Sequence, residues 1–149
     1  MSAYSDMWQV IKMRVCQNSN VPEAVTYGTN NYVGSRVKLR ILQIFTLECI
    51  LDQYRKKNGS PFAPLEEERA LYHMIFEKTK WPLQTIRDLH LNDALFIIND
   101  QLKISNLPQE AQTFISKLNL GSVAYSVDDF PKEDWAPKEN AIFLQVHEH

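Results

Sequence analysis

Cysteine and glycine are scarce in this chain, and each scarcity removes a class of function. Cys16 and Cys49 stand alone, with neither a CxxC pairing nor a metal-ligand spacing. Two unclustered cysteines fit buried thiols in a reducing compartment, so a cytoplasmic location is the default expectation. Four glycines leave little backbone to cradle phosphates. There is no P-loop, no dinucleotide glycine fingerprint and no Gly-x-Ser-x-Gly elbow. No run approaches the roughly 18 apolar residues of a membrane span, so no membrane is expected as a partner. Residues 1–15 mix charges with apolar side chains and hold no cleavable hydrophobic core, which argues against a secretory signal there. No internal repeat or low-complexity tract occurs.

Histidine is sparse as well: His73, His90, His147 and His149. His73 and Glu77 lie one helical turn apart, and His147 and His149 would share a strand face. Neither pair is HExxH, and the carboxylate-x-x-His motif that a di-metal bundle needs on two helices is missing. No metal, no cofactor and no catalytic residue is assigned. His147 and His149 would be adventitious ligands at most. Triads assemble from distant positions, so a small enzyme without a recognisable motif stays as an alternative.

What the chain does have is an ordinary globular composition, 44% hydrophobic and 23% charged over 149 residues. That length suits one domain with a real core and no staples. The densest apolar run, residues 41–51, lies within residues 35–59. Read at a helical period, Ile41, Ile44, Phe45 and Leu51 share a side, while Leu42, Cys49 and Ile50 widen it. Gln43, Thr46 and Gln53 leave only a narrow polar stripe, so a helix here must be buried by several neighbours. Ser35 suits the N-cap and Asn58-Gly59 the stop.

Two features oppose a helix over that whole span. Residues 36–41 alternate Arg36, Lys38 and Arg40 with Val37, Leu39 and Ile41, which is the period of a strand. Three cations would also face the positive end of the helix dipole. A strand ending near Arg40, or a later helix start, would explain both. Yet 25 residues without a turn signal are too many for one strand, so the helix is expected.

Around it, periodicity and stop signals predict helices over residues 5–17, from Pro64 to Thr79, from Pro82 to His90, one capped by Asn92, and one opened by Leu107-Pro108. Residues 18–34 read as a loop or a short hairpin around 28–31. Residues 122–127 alternate weakly, and residues 141–146 have the composition of a closing strand. The expected fold is mainly α: five to six helices around a central buried helix, with a minor extended element at the carboxyl end. Residues 1–149 form a single globular helical domain in this reading, and 122–149 an irregular acidic-aromatic segment.

Charge is divided unevenly. Residues 1–57 carry eight Lys/Arg against four Asp/Glu, a net +4, and residues 58–149 carry eight against fourteen, a net −6. Opposite patches steer encounters. The acidic excess is densest where Asp128, Asp129, Glu133 and Asp134 sit among Phe130 and Trp135. Aromatic anchors inside an acidic rim suit a basic protein partner, the rings giving contact energy and the carboxylates direction. Asp128, Asp129, Phe130, Glu133, Asp134 and Trp135 are therefore the candidate partner-binding residues. The competing account folds Phe130 and Trp135 back onto the helices to pin the segment.

The leading functional expectation is a non-enzymatic cytoplasmic interaction module, of inhibitor or immunity type. Self-association stays open. The alternative is a nucleic-acid-associated regulator using Arg36, Lys38 and Arg40. It is weaker, because Arg55, Lys56 and Lys57 would lie roughly 25 Å away along the helix and form no common patch. A helix–turn–helix over residues 82–102 fares no better. Its reading helix would carry Asp93 and Asp100 where phosphates demand cations. Glu48 and Asp52, one turn apart with Arg55 following, read as a helix-surface ion-pair ladder rather than an acid–base pair.

Overall fold

The computed structural model describes residues 3–27, 32–121 and 123–145. Seven α-helices occur among them: α1 (Ala3–Asn18), α2 (Tyr32–Asn58), α3 (Arg69–Thr79), α4 (Leu83–Arg87), α5 (Leu91–Ile97), α6 (Gln109–Ser116) and α7 (Pro137–Gln145). Short 3₁₀ turns lie at Glu23–Thr26, Ile104–Asn106 and Lys132–Asp134. The fold is mainly α, and no strand occurs among the described residues. No helix among them is long and apolar enough to cross a membrane.

The centre is α2, 27 residues and so about 40 Å long. Ile41, Ile44, Phe45, Leu47 and Leu51 are completely buried along it. Its apolar surface runs round most of the cylinder, so neighbours close on it from several sides. Helices α1, α3 and α7 pack directly against it. On the α1 side the contact is aromatic: Trp8 meets Phe45 edge-on at 5.5 Å, and Phe114 of α6 stacks on Phe45 at 5.5 Å. Aromatic pairs in these geometries add about 0.5–1.5 kcal/mol beyond the area they bury.

Helix α2 starts three residues before Ser35, and its stop at Asn58-Gly59 is where the apolar pattern predicts it. The alternation of residues 36–41 is therefore not a strand. Val37, Arg40 and Ile41 are all buried, a spacing of three and four that belongs to one helix face. The dipole objection is answered from far along the chain. Asp129 pairs with Arg36, and Asp134 with Arg40, so carboxylates neutralise the cations beside the positive end.

Other boundaries move for local reasons. Helix α3 begins at Arg69 rather than at Pro64, because Leu65 and Glu67 adopt left-handed backbone (φ 60° and 54°) that no helix can continue. Helix α5 begins at Leu91, and Asn92 lies inside it, donating its side-chain amide to the Asp128 carbonyl instead of capping. The expected closing strand is a helix: residues 141–145 belong to α7, and Val146 lies outside the described residues. Asn140 and Leu144 are the buried positions there, spaced by four, with Pro137 and Glu139 in the first turn. Residues 123–127 form no strand, and the hairpin expected around 28–31 lies outside the described residues.

Candidate protein-binding face

The acidic-aromatic segment is held down by cations from α1 and α2. Arg40, completely buried, donates Nε–H to Asp134 Oδ2 at 2.9 Å. Its other nitrogens reach the Pro131 carbonyl at 2.8 Å and Gln43 Oε1 at 2.8 Å. Asp134 is also fully buried, and its second oxygen accepts from Asn18 Nδ2 at 2.9 Å. Arg36 donates to the Ser126 carbonyl at 3.0 Å and pairs with Asp129. Both guanidinium groups lie over the Phe130 ring, at 5.0 Å for Arg36 and 5.8 Å for Arg40. A planar guanidinium with five donors can join several carbonyls and carboxylates at once, which suits it to fasten an irregular strap.

Behind the strap, Trp135 donates its indole N–H to Glu48 Oε1 at 3.0 Å. Glu48 is buried, and burial pushes its carboxyl up to about 7, against the opposing pull of the Trp135 bond, the Arg55 charge, the Asn140 amide and the Arg14 charge. Arg14 of α1 completes the clasp, donating to Asn140 Oδ1 at 2.9 Å and to Glu139 Oε2 at 2.8 Å on α7. Asp52, the neighbour of Glu48 by one turn, pairs with Lys56 at 2.9 Å, with Arg55 at 4.0 Å. The ladder expected on the helix surface is thus half interior: both carboxylates are buried, and Glu48 faces Trp135 instead of Arg55.

The six candidate partner-binding residues divide into two groups. Asp134 and Phe130 are buried and serve the fold. Asp128, Asp129 and Glu133 are exposed, although Asp129 shares its charge with Arg36. Trp135 is half-buried and belongs to both groups. Beyond its bond to Glu48, it lines a cleft of about 340 Å³. The other walls are Leu71 and Tyr72 of α3, Leu91 and Ala94 of α5, and Pro137. Glu68, Glu133 and Lys132 carry the charge at its edge. An apolar hollow of that size with a few polar groups is within the usual range for a recognition site.

Of the three alternative nucleic-acid residues, Arg36 and Arg40 are turned to the strap, while Lys38 lines a separate hollow beside Trp8, Ile41 and Phe114. The Arg40 guanidinium has no access to solvent, and Arg36 is spent on Ser126 and Asp129. The short helix α4 packs by Ile86 and α5 by Ala94 and Leu95, with Ile98 buried just after it, and α5 turns Phe96 outward, 81% exposed, where a DNA reader would need cations. His73 accepts or shares a hydrogen bond with Tyr54 Oη at 2.7 Å. Among the described residues no group of three or more His, Cys, Asp or Glu could hold a metal ion. His147 and His149 lie outside those residues.

The sequence reading missed Arg40 as the fastening point and Glu68 as a rim residue. A signal for Arg40 existed, because it shares the helical stripe of Val37, Ile41 and Ile44. None existed for Glu68, which stands just before α3 and meets the cleft beside Trp135 only in the folded chain. No protein-family model, curated protein or solved structure matches the chain.

Proposed function

We propose that the protein is a non-enzymatic interaction module, of inhibitor or immunity type, that takes a basic protein partner on the face built by its acidic-aromatic segment. The observation that carries this reading is the cleft at Trp135: an apolar hollow with Glu68 and Glu133 against the single cation Lys132 on its edge, and Asp128 exposed on the same strap. The rings and leucines supply the desolvated centre, and the carboxylates direct a cationic side chain toward it. The strap needs no ordering on binding, since Arg40, Arg36 and Glu48 already hold it, and a preorganised surface binds at lower entropic cost. Two free, buried cysteines support a cytoplasmic setting.

The test is affinity purification from native cells with the wild type and with an Asp128→Lys, Glu133→Lys variant. Both positions are exposed, so the variant keeps the fold. A basic partner retained by the wild type, released by added salt and lost with the variant is the expected result. Equal retention by both proteins sinks the reading.

A further inference from the structure

A second hollow, of about 230 Å³, shares no residue with the Trp135 cleft. Helical spacing builds two of its walls. Trp8 and Lys12 lie four residues apart on α1, and Lys38 and Ile41 three apart on α2, so each helix sets one cation and one apolar side chain on one face. Phe114 of α6, with Leu118 and Leu120 following it, closes the apolar side. Trp8 and Phe114 meet there at 6.1 Å with their ring planes 66° apart. Aromatic groups favour such tilted contacts, and a third ring entering the hollow can add to them.

The polar side is cationic. Lys12 is only 7% exposed, and an ammonium group taken so far out of water needs close acceptors. Its partners supply little. Glu23 Oε1 stands at 4.0 Å, beyond hydrogen-bond reach, and the Glu23 side chain is itself 44% exposed. The Tyr27 ring lies 5.2 Å from Nζ, an attraction that offers no lone pair. Lys38, half-buried, lines the same hollow, and no Asp or Glu does so among the described residues. Even with Glu23 counted, the side chains named carry a net positive charge.

We propose that this hollow binds a small aromatic carboxylate, its ring against Trp8 and Phe114 and its carboxylate on the Lys12 and Lys38 ammonium groups. The carboxylate brings the close acceptors that Glu23 does not, in apolar surroundings where a charge-assisted hydrogen bond is strong. Size limits the ligand further. At about 230 Å³ the hollow falls below the roughly 300–1,000 Å³ of pockets for drug-sized molecules, so it suits a single-ring acid rather than a nucleotide. The site is independent of whether the Trp135 cleft takes a protein partner.

An NMR titration of the full chain with phenylacetate tests this, read at the indole N–H signals of Trp8, Trp81 and Trp135. Trp8 is expected to shift saturably, while Trp135, which lines the other cleft, stays in place. Phenylacetamide keeps the ring without the charge, and acetate the charge without the ring. Each should bind at least about 10-fold more weakly than phenylacetate. Lys12→Met keeps the aliphatic stem and removes the ammonium group, and a loss of the same size is expected. Its urea midpoint reports whether it folds. Should it unfold, Lys38→Met, at a half-buried position, is expected to weaken binding in its place, and the wild-type comparison of the three probes needs no variant at all. The absence of a saturable shift at Trp8, equal affinity for phenylacetamide or acetate, or undiminished binding by a folded lysine variant overturns the proposal.

Discussion

Arg40 Nε and Asp134 Oδ2 are 2.9 Å apart and wholly shut off from water, joining the third turn of α2 to a strap 94 residues further along the chain. Two buried ions cost several kcal/mol each to desolvate, and here the cost is offset by hydrogen bonds that use nearly every donor and acceptor they carry. The pair decides where the acidic segment lies and, through Trp135, where the cleft opens.

Removing one partner should therefore hurt far more than removing both. Arg40→Met leaves the Asp134 carboxylate buried and alone, and a loss of about 3–5 kcal/mol is expected in urea denaturation. Arg40→Met combined with Asp134→Leu should recover part of that loss, because no uncompensated charge is left inside. If the double variant is as unstable as the sum of the singles, the two residues are not coupled.

Glu48 makes stability fall as pH rises. Burial raises its carboxyl from the ordinary range to about 7 in the folded protein, so folding favours the neutral form. Its contribution is fully present below the unfolded value near 4.5, declines between there and about 7, and is gone above. The span corresponds to about 3 kcal/mol. Glu48→Gln should abolish this component, seen as the difference between the two proteins' urea midpoints at pH 5 and pH 8. A constant difference across that window would show that Glu48 does not titrate there.

Both cysteines should be silent in the folded protein. Burial pushes the Cys49 thiol well above its ordinary range, and the Asp52 and Glu48 charges push it further. Burial raises Cys16 too, with Glu23 adding and Lys12 opposing. The thiolate is the reactive species, so a disulfide reagent at neutral pH should titrate neither group until urea unfolds the chain. Rapid native reaction of either cysteine contradicts this packing.

Gly59 lets the chain leave α2 toward a turn in which Ser60 and Ala63 exchange backbone hydrogen bonds at 2.9 and 3.0 Å. A Cβ there would stand 2.5 Å from the Arg55 carbonyl oxygen and 3.1 Å from that of Pro64. Both atoms are backbone, so the turn must shift to admit it. Gly59→Ala is expected to cost about 1–3 kcal/mol in urea denaturation. An unchanged midpoint would mean that the turn is looser than its hydrogen bonds imply.

Periodicity and punctuation carried the helical class a long way. The apolar run around Ile44, Phe45 and Leu51 demands burial from several sides whatever the topology, and α2 does end at Asn58, although Gly59 does not take the left-handed backbone that such a stop usually uses. Pro82 and Pro108 likewise stand directly before α4 and α6, since a proline has no N–H to lose there. The rings of Phe130 and Trp135 were visible as anchors, but their direction was not. Short windows also misled at residues 141–145, where β-type composition lost to the four-residue spacing of Asn140 and Leu144.

Local physics, then, sufficed for a greasy central rod and an excess of carboxylates at the other end. Only tertiary structure decided which of those carboxylates are spent inside and which face outward. Asp134 and Glu133 are adjacent in sequence and alike in chemistry, yet one meets the buried Arg40 and the other edges an open cleft. The reason is that a charge is sorted by its partner, and the partners of this strap are supplied by helices about a hundred residues away.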